Sequence, residues 1–364
     1  MKSTKKIKLG NLKIGGGAPI SVQSMAKTPT RDAKATIKQI LELEKIGCEI
    51  IRLAVPDMES ARALAVILKA IHIPLIADIH FDHRLALAAI DAGVDGLRIN
   101  PGNIGSTAKV REIVRAASGK NLPIRVGVNS GSLEKDILTK YGSPSAKALV
   151  ESALKNVKML EDLGHRAIKI SVKASDALRT IEAYRLLSKK TNWPLHLGVT
   201  EAGTLLAGAI SSSVALGILL AEGIGDTIRV SLADTPANEV LVGKEILRSL
   251  GLRRAGPRLI VCPTCGRTQM DVVKLAKAIE NELEKLQMAN PRAKNWPTVA
   301  VMGCVVNGPG EAREADIAII CGKNRAYLYL AGNRTAALSP KSAPEIVAEE
   351  TMKFISKRAP TWAS

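Results

Sequence analysis

Eight strand–helix units in succession predict a (β/α)8 barrel over residues 1–255, followed by a small α+β domain over residues 256–364. Three observations lead there. Short apolar runs recur eight times within about 230 residues, each followed by a segment of helical period, whereas a doubly wound open sheet rarely needs eight such units. The core must be aliphatic, since aromatic residues make up 2% of the 364 residues against a hydrophobic total of 46%, and buried parallel strands have that character. A stretch rich in Gly, Arg and Pro, residues 251–258, then ends the repeat.

The elements follow in order. Residues 6–14 alternate apolar and polar side chains around Gly10-Asn11, the pattern of a β-hairpin. Strands are predicted at 20–24, 50–55, 75–79, 96–100, 124–128, 167–172, 195–199 and 227–231. Helical periodicity is clear in 33–46, where Ile37, Ile40, Leu41 and Leu43 form a stripe, and in 145–163. The uncharged segment 202–221 is read as a buried helix and not as a membrane span, because it is rich in Ala, Gly and Ser and falls at the spacing of the other helices. Beyond the barrel, strands are expected at 259–261, 298–302, 315–320 and 326–330, and helices at 270–286 and 343–357.

Composition narrows the function. The net charge of +18 suits a polyanionic ligand or an acidic redox partner. The cations are dispersed and no aromatic stacking platform accompanies them, which argues against nucleic acid. Residues 1–9 are basic without an apolar core segment, so no signal peptide is expected. Five cysteines, an odd number, do not make a disulfide framework; a reducing, cytoplasmic setting is expected.

Catalysis in such barrels occurs at the C-terminal ends of the strands. The residues expected there are Arg52; Asp78 and His80; Arg98 and Asn100; Arg125 and Asn129; Lys169, Ser171 and Lys173; His196 and Glu201; Arg229 and Ser231. Six cations from five strands would meet at one mouth, with Asp78, Glu201 and Asp234 able to neutralise about half of them. Guanidinium forks and backbone amides suit phosphate oxygens, and two phosphates account for the number better than one. Asp78 and Glu201 are the carboxylates placed for proton transfer or for orienting a hydroxyl. His72 and His165 precede strands and are read as structural, and Lys169 would also suit a Schiff base.

The second segment carries Cys262-Pro263-Thr264-Cys265-Gly266-Arg267 and Gly303-Cys304-Val305-Val306-Asn307-Gly308-Pro309-Gly310-Glu311. Three thiolates and a carboxylate on tight turns suit a soft metal centre. A [4Fe–4S] cluster on Cys262, Cys265, Cys304 and Glu311 fits this pattern, and a non-thiolate fourth ligand would leave one position exchangeable. Zinc with Cys321 as fourth ligand is the alternative, although Cys321 falls in a run that reads as a strand. Cys48 is read as a small core residue.

These strings identify a family. Gly15-Gly16-Gly17-Ala18-Pro19-Ile20-Ser21-Val22-Gln23-Ser24-Met25, Ala77-Asp78-Ile79-His80-Phe81, Arg98-Ile99-Asn100-Pro101-Gly102-Asn103, the run from Ile168 to Ser175, Gly198-Val199-Thr200-Glu201-Ala202-Gly203 and the two cysteine motifs resemble the 4-hydroxy-3-methylbut-2-enyl diphosphate synthase family. These are the iron–sulfur enzymes of the methylerythritol phosphate route to isoprenoids, in the two-domain bacterial form. Thr235 separates Asp234 from Pro236 where the family pattern has them adjacent. The resemblance implies 2-C-methyl-D-erythritol 2,4-cyclodiphosphate as substrate. It assigns Cys262, Cys265, Cys304 and Glu311 as cluster ligands and the barrel-mouth Arg and Lys residues as diphosphate ligands. It further implies a ferredoxin- or flavodoxin-type electron donor and a head-to-tail homodimer whose cluster domain caps the partner's barrel. The expected reaction opens the ring at C2 and expels the C3 hydroxyl with two electrons, with Glu311 yielding its place to a substrate oxygen and Glu201 serving as proton donor. Outside the family, the readings to separate are a phosphate-ligand barrel synthase or aldolase with a structural zinc domain, and a zinc-ribbon nucleic-acid module.

Overall fold

Backbone hydrogen bonding sorts the strands of this computed structural model into a hairpin, an eight-stranded sheet and a five-stranded sheet. The structure describes residues 3–253, 256–290, 293 and 295–356. Two compact units emerge, Met1–Arg253 and Arg254–Ser364. Within the expected linker, Arg254 and Ala255 lie outside the described residues, as does Lys357 at the end of the last expected helix.

In the first unit, β1 (Ile7–Leu9) and β2 (Leu12–Ile14) form the hairpin at the Gly10-Asn11 turn, where Gly10 has φ of 54°. The eight barrel strands are β3 (Ser21–Met25), β4 (Ile50–Ala54), β5 (Leu75–Asp78), β6 (Gly96–Ile99), β7 (Ile124–Asn129), β8 (Ile168–Lys173), β9 (His196–Leu197) and β10 (Thr227–Ile228). Every pairing is parallel, and a bridge between Ile170 and Leu195 closes the ring from β8 to β9. The fold class expected from the sequence is the one observed.

The helices around the barrel are α1 (Ala33–Lys45), α2 (Met58–Leu68), α3 (His83–Ala92), α4 (Thr107–Gly119), α5 (Lys135–Tyr141), α6 (Ala146–Asp162), α7 (Ala177–Lys190), α8 (Leu205–Ala221) and α9 (Pro236–Ser249). Asp32, Asp57, Asp82, Ser106, Ser145 and Asp176 cap their helices by accepting a backbone N–H two or three residues on. The stripe predicted for α1 is adjusted: Thr36, Ile40 and Leu43 are the buried positions.

Segment 202–221 departs from expectation. Only one side of α8 is buried, through Gly208, Ser212, Ala215, Leu216, Leu219 and Leu220. A helix outside a barrel keeps an outer face, and here that face is apolar: Leu206 is 74%, Ile210 57% and Val214 45% exposed. No helix among the described residues is long and apolar enough to cross a membrane.

The second unit has sheet order β11 (Arg258–Val261), β12 (Thr298–Met302), β13 (Ile317–Cys321), β14 (Ala326–Leu330) and β15 (Asn333–Leu338). The first three strands are parallel and the last two antiparallel. Strand β15 was not foreseen: Asn333-Arg334-Thr335 is polar, as befits an edge strand. Helices α10 (Val272–Ala289) and α12 (Ala343–Ser356) cover one face through Ile279, Leu283 and Val347. Small residues, Ala300, Ala312 and Ala318, pack on the other. The expected loop to Glu311 is half helical, since Gly308–Ala312 forms α11 with Pro309 in its first turn, where a missing N–H costs nothing.

Candidate active site

The strand register orders the barrel's inward positions into tiers, because each strand is staggered by about one residue against the next in such a barrel. Lys169 shares the lowest tier with Ile50, Gly96 and Thr227. Gln23, Ile76, Arg125 and His196 come next, then Arg52, Arg98, Ser171 and Arg229, then Met25, Asp78, Gly127 and Gly198. Ala54, Asn100, Lys173 and Ser231 extend the ladder upward, with His80, Asn129 and the exposed Glu201 beyond. The six cations therefore span the barrel's depth, and Lys169 lies at its floor, not at its mouth.

Glycine makes room for two of them. A Cβ on Gly127 would stand 2.4 Å from Arg98 Nε, and one on Gly198 would stand 2.4 Å from Lys173 Nζ. The inward surface is thus shaped around long basic side chains.

Carboxylates answer only part of the charge. Asp78 meets Arg98 at 3.2 Å and Arg52 at 3.6 Å. Burial pushes its pKa up, but Arg52, Arg98 and Arg125 together outweigh that and hold it down at about 2. Arg98 Nη1 also lies 2.6 Å from His80 Nε2, whose pKa burial lowers. Arg229 is answered by Glu239 of α9 at 3.2 Å, a carboxylate that also accepts from Leu232 N–H and Ser24 Oγ. Glu239 was missed in the sequence because nothing local distinguishes an acid in the first turn of a helix. The expected neutralisers behave differently. Asp234 accepts from the Asn238 side chain at 3.1 Å and from Thr235 N–H, and Glu201 is exposed at the rim with no ion pair among the described residues.

Three buried cations are left without a carboxylate within ion-pair distance among the described residues: Arg125, Lys169 and Lys173. Arg125 is 2% exposed, donates to Ser171 Oγ at 3.3 Å and leaves Nε and Nη2 unbonded. Lys173 Nζ lies 3.4 Å from His196 Nε2, while His196 Nδ1 faces Thr227 Oγ1 at 2.8 Å. Burial, then Lys173 and Arg125, push the His196 pKa well down, so its imidazole is neutral. Asn100 Nδ2 and Arg98 Nε are likewise buried and unbonded. Unpaired cations and idle donors on the inward positions of one barrel are groups of the kind that bind anions.

Glu201 has φ of 53° and Phe81 of 64°, and both flank the mouth. Side chains are uncommon in this left-handed region, and bulky ones are strained there. His72 bonds Glu44 at 2.9 Å and His165 bonds Ser118 Oγ at 2.9 Å, both as structural fixtures.

In the second unit the thiols stand at the C-terminal ends of adjacent parallel strands: Cys262 follows β11, Cys304 follows β12, and Cys265 lies on the turn between β11 and α10. Thr264 takes φ of 69°, and its neighbour Cys265 N–H donates to Thr268 Oγ1 at 3.0 Å. Gly303 leaves space for Cys262, whose Sγ would lie 3.4 Å from any Cβ there. Backbone N–H groups of Asn307 and Val306 hold the Cys304 thiol below its ordinary pKa, which favours a thiolate. Cys321 is fully buried in β13, and burial raises its pKa to about 11; Cys48 likewise is core, raised by burial to about 12.

Among the described residues, no three His, Cys, Asp or Glu side chains are gathered tightly enough for one metal ion. A four-iron cluster makes no such demand, because it spreads its ligands over separate irons. Three thiols on two turns, a preformed donor field at Cys304 and the exposed carboxylate of Glu311 fit a cluster better than a single zinc.

An aliphatic (β/α)8 barrel with an anion-seeking interior, joined to a thiol-bearing α+β unit, defines a two-domain barrel enzyme. The GcpE TIM-barrel domain model matches residues 4–244 and the GcpE protein C-terminal domain model matches residues 258–355. A 4-hydroxy-3-methylbut-2-en-1-yl diphosphate synthase (flavodoxin) of Clostridium perfringens is 54% identical over 97% of this chain and 98% of its own length. One from Geobacter sulfurreducens is 52% identical over 98% of this chain and 99% of its own. The chain belongs to the GcpE family of 4-hydroxy-3-methylbut-2-en-1-yl diphosphate synthases, which are iron–sulfur oxidoreductases of isoprenoid synthesis. A dihydropteroate synthase from Yersinia pestis superposes with a TM-score of 0.50 at 12% identity, over 68% of this chain and all of that one, which shows the barrel fold alone.

Proposed function

We propose that this chain reduces 2-C-methyl-D-erythritol 2,4-cyclodiphosphate to 4-hydroxy-3-methylbut-2-enyl diphosphate, opening the ring at C2 and expelling the C3 hydroxyl as water. The observation that carries the reading is the set of buried cations left over once Asp78 and Glu239 are engaged. A diphosphate supplies the missing charge. A [4Fe–4S] cluster on Cys262, Cys265, Cys304 and Glu311 would supply electrons one at a time.

The chain's own residues divide the rest. Arg125 and Lys173, with Arg52 and Arg98 steadied by Asp78, hold the diphosphate as it becomes a leaving group. Asn100, Asn129, Ser171, Ser231 and His80 orient phosphate and hydroxyl oxygens. His196, neutral and hydrogen-bonded to Lys173, fixes the position of that side chain, and Arg229 is steadied by Glu239. Glu201, at the open rim, delivers the proton that departs with the C3 hydroxyl. Residues 1–255 thus form the substrate domain and 256–364 the cluster domain, in a cytoplasmic enzyme.

The test is anaerobic purification with iron and sulfide quantitation, followed by turnover of the cyclic diphosphate with a reduced electron carrier. A brown, active protein supports the reading; a colourless zinc protein that binds no diphosphate defeats it. Arg125→Ala is expected to weaken substrate binding by about 1.5–3 kcal/mol, the worth of a charge-assisted hydrogen bond, and normal binding by that variant would remove the diphosphate from the barrel.

The electron donor is proposed to be an acidic carrier of the flavodoxin or ferredoxin type. Arg267, Lys323 and Arg325 lie in segments that follow β11 and β13, at the strand ends that also carry the thiols; none pairs with a carboxylate among the described residues, and Arg267 stands beside the Cys304 thiol.

A homodimer with sites shared between chains completes the proposal. The support is α8, where Leu206, Ile210, Val214 and Ile218 form an exposed line on an uncharged helix. Two copies that each carry +18 repel least where they meet through such a face. Heterodimers of Cys265→Ser and Glu201→Gln chains should recover activity that neither variant has alone. Heterodimers that form and stay inactive would place each site within one chain.

A further inference from the structure

Lys169 is the buried cation that least resembles a ligand. It lies in the lowest tier of the barrel, is 2% exposed, and its ammonium has no hydrogen-bond partner among the described residues. The groups around it do not compensate a charge. Arg125 faces it from β7, Arg52 from β4, and the neutral His196 from β9. The nearby acid is Asp226, just before β10, and its carboxylate is already committed to Thr4 Oγ1 at 2.7 Å and Leu195 N–H at 2.8 Å. The Gln23 amide, one tier up, has neither its nitrogen nor its oxygen bonded. Burial, and then Arg125, lower the Lys169 pKa to about 7 against the opposing pull of Asp226.

Resting on the diphosphate reading above, we propose that Lys169, buried and without a hydrogen-bond partner among the described residues, takes up a proton when a diphosphate binds in the tiers above it. Arg125 couples the two events. Its guanidinium reaches Ser171 in the third tier, with two donor nitrogens idle. An anion that engages those donors cancels the repulsion Arg125 exerts on Lys169, so charging the lysine becomes easier. Lys169 is then a positioning residue, which adds positive potential behind the anion without touching it.

The sign is fixed by linkage. Binding raises the Lys169 pKa, so protons are taken up, and affinity falls as pH rises above the free-state value. The cyclic diphosphate has a single acidic oxygen on each phosphorus and does not titrate near neutrality, so it contributes no protons of its own.

Titration calorimetry of the oxidised, cluster-loaded protein with the cyclic diphosphate near about pH 8, in buffers of different ionisation enthalpy, reads the proton count. About one proton more is expected for wild type than for Lys169→Met, and wild-type affinity should fall with pH more steeply than the variant's, by up to about tenfold per unit above about 7, since Lys173, whose pKa burial and Arg125 also push well down, is present in both. Equal uptake in both proteins overturns the proposal, and so does a wild-type affinity that is flat with pH, which needs no variant. Lys169→Gln serves if the methionine variant does not fold. Absence of any diphosphate binding would sink the underlying reading as well, whereas binding without linked uptake sinks only the role of Lys169.

Discussion

Cys304→Ser is expected to yield a folded, colourless protein without iron or sulfide and with no turnover. The thiol is the one whose backbone surroundings, the N–H groups of Asn307 and Val306, already favour the thiolate. Serine offers a hydroxyl that stays protonated and is a poor ligand for iron of this kind. Cys262→Ser and Cys265→Ser should behave alike. Cys321→Ser should keep its full iron content, because that thiol is fully buried in β13 and its pKa is raised to about 11. Metal analysis and the visible spectrum decide the matter: zinc in place of iron, lost on mutation of Cys321, would mean a four-thiolate structural site and no redox centre.

Asp78→Asn should be the most damaging change in the barrel. The carboxylate holds two guanidinium groups inside the barrel, the buried Arg98 at 3.2 Å and the partly buried Arg52 at 3.6 Å. Asparagine keeps the shape and leaves both cations uncompensated, a loss of about 3–5 kcal/mol for a broken buried pair. Urea unfolding of the two proteins reads it directly, and an unchanged midpoint would show that Asp78 does not hold the arginines. The wild type carries the same information in its acid limb. A carboxylate depressed to about 2 in the folded state against about 3.9 unfolded contributes its full stability above the unfolded value and loses it as pH falls towards the folded one. The asparagine variant should lack that part of the acid transition.

The fold was legible because its signals are local and repeated. Aliphatic runs at regular spacing, helical periodicity and the Gly10-Asn11 turn each act within a few residues, and eight repetitions leave little choice of architecture. The edge strand β15 was not legible, since its polar residues carry no inward alternation, and α11 was hidden by glycines that usually mark a loop. The outer face of α8 escaped for a related reason: an uncharged run looks buried until neighbouring elements show which side they cover.

The candidate site divides along the same line. Residue types and spacings in the sequence named the thiols on their turns, the carboxylate Glu311, and the basic residues with Asp78 and Glu201 at the strand ends. Which cations are compensated was decided only in three dimensions. Register sets the depth of each inward side chain, which carries Lys169 to the floor and Lys173 upward on the same strand, four residues apart with Ser171 midway between them. Packing brings Glu239 from α9 to Arg229 and gives Asp78 to two arginines at once. Charge compensation falls steeply with distance and burial, so it belongs to the folded arrangement; the chemistry of each side chain belongs to the sequence.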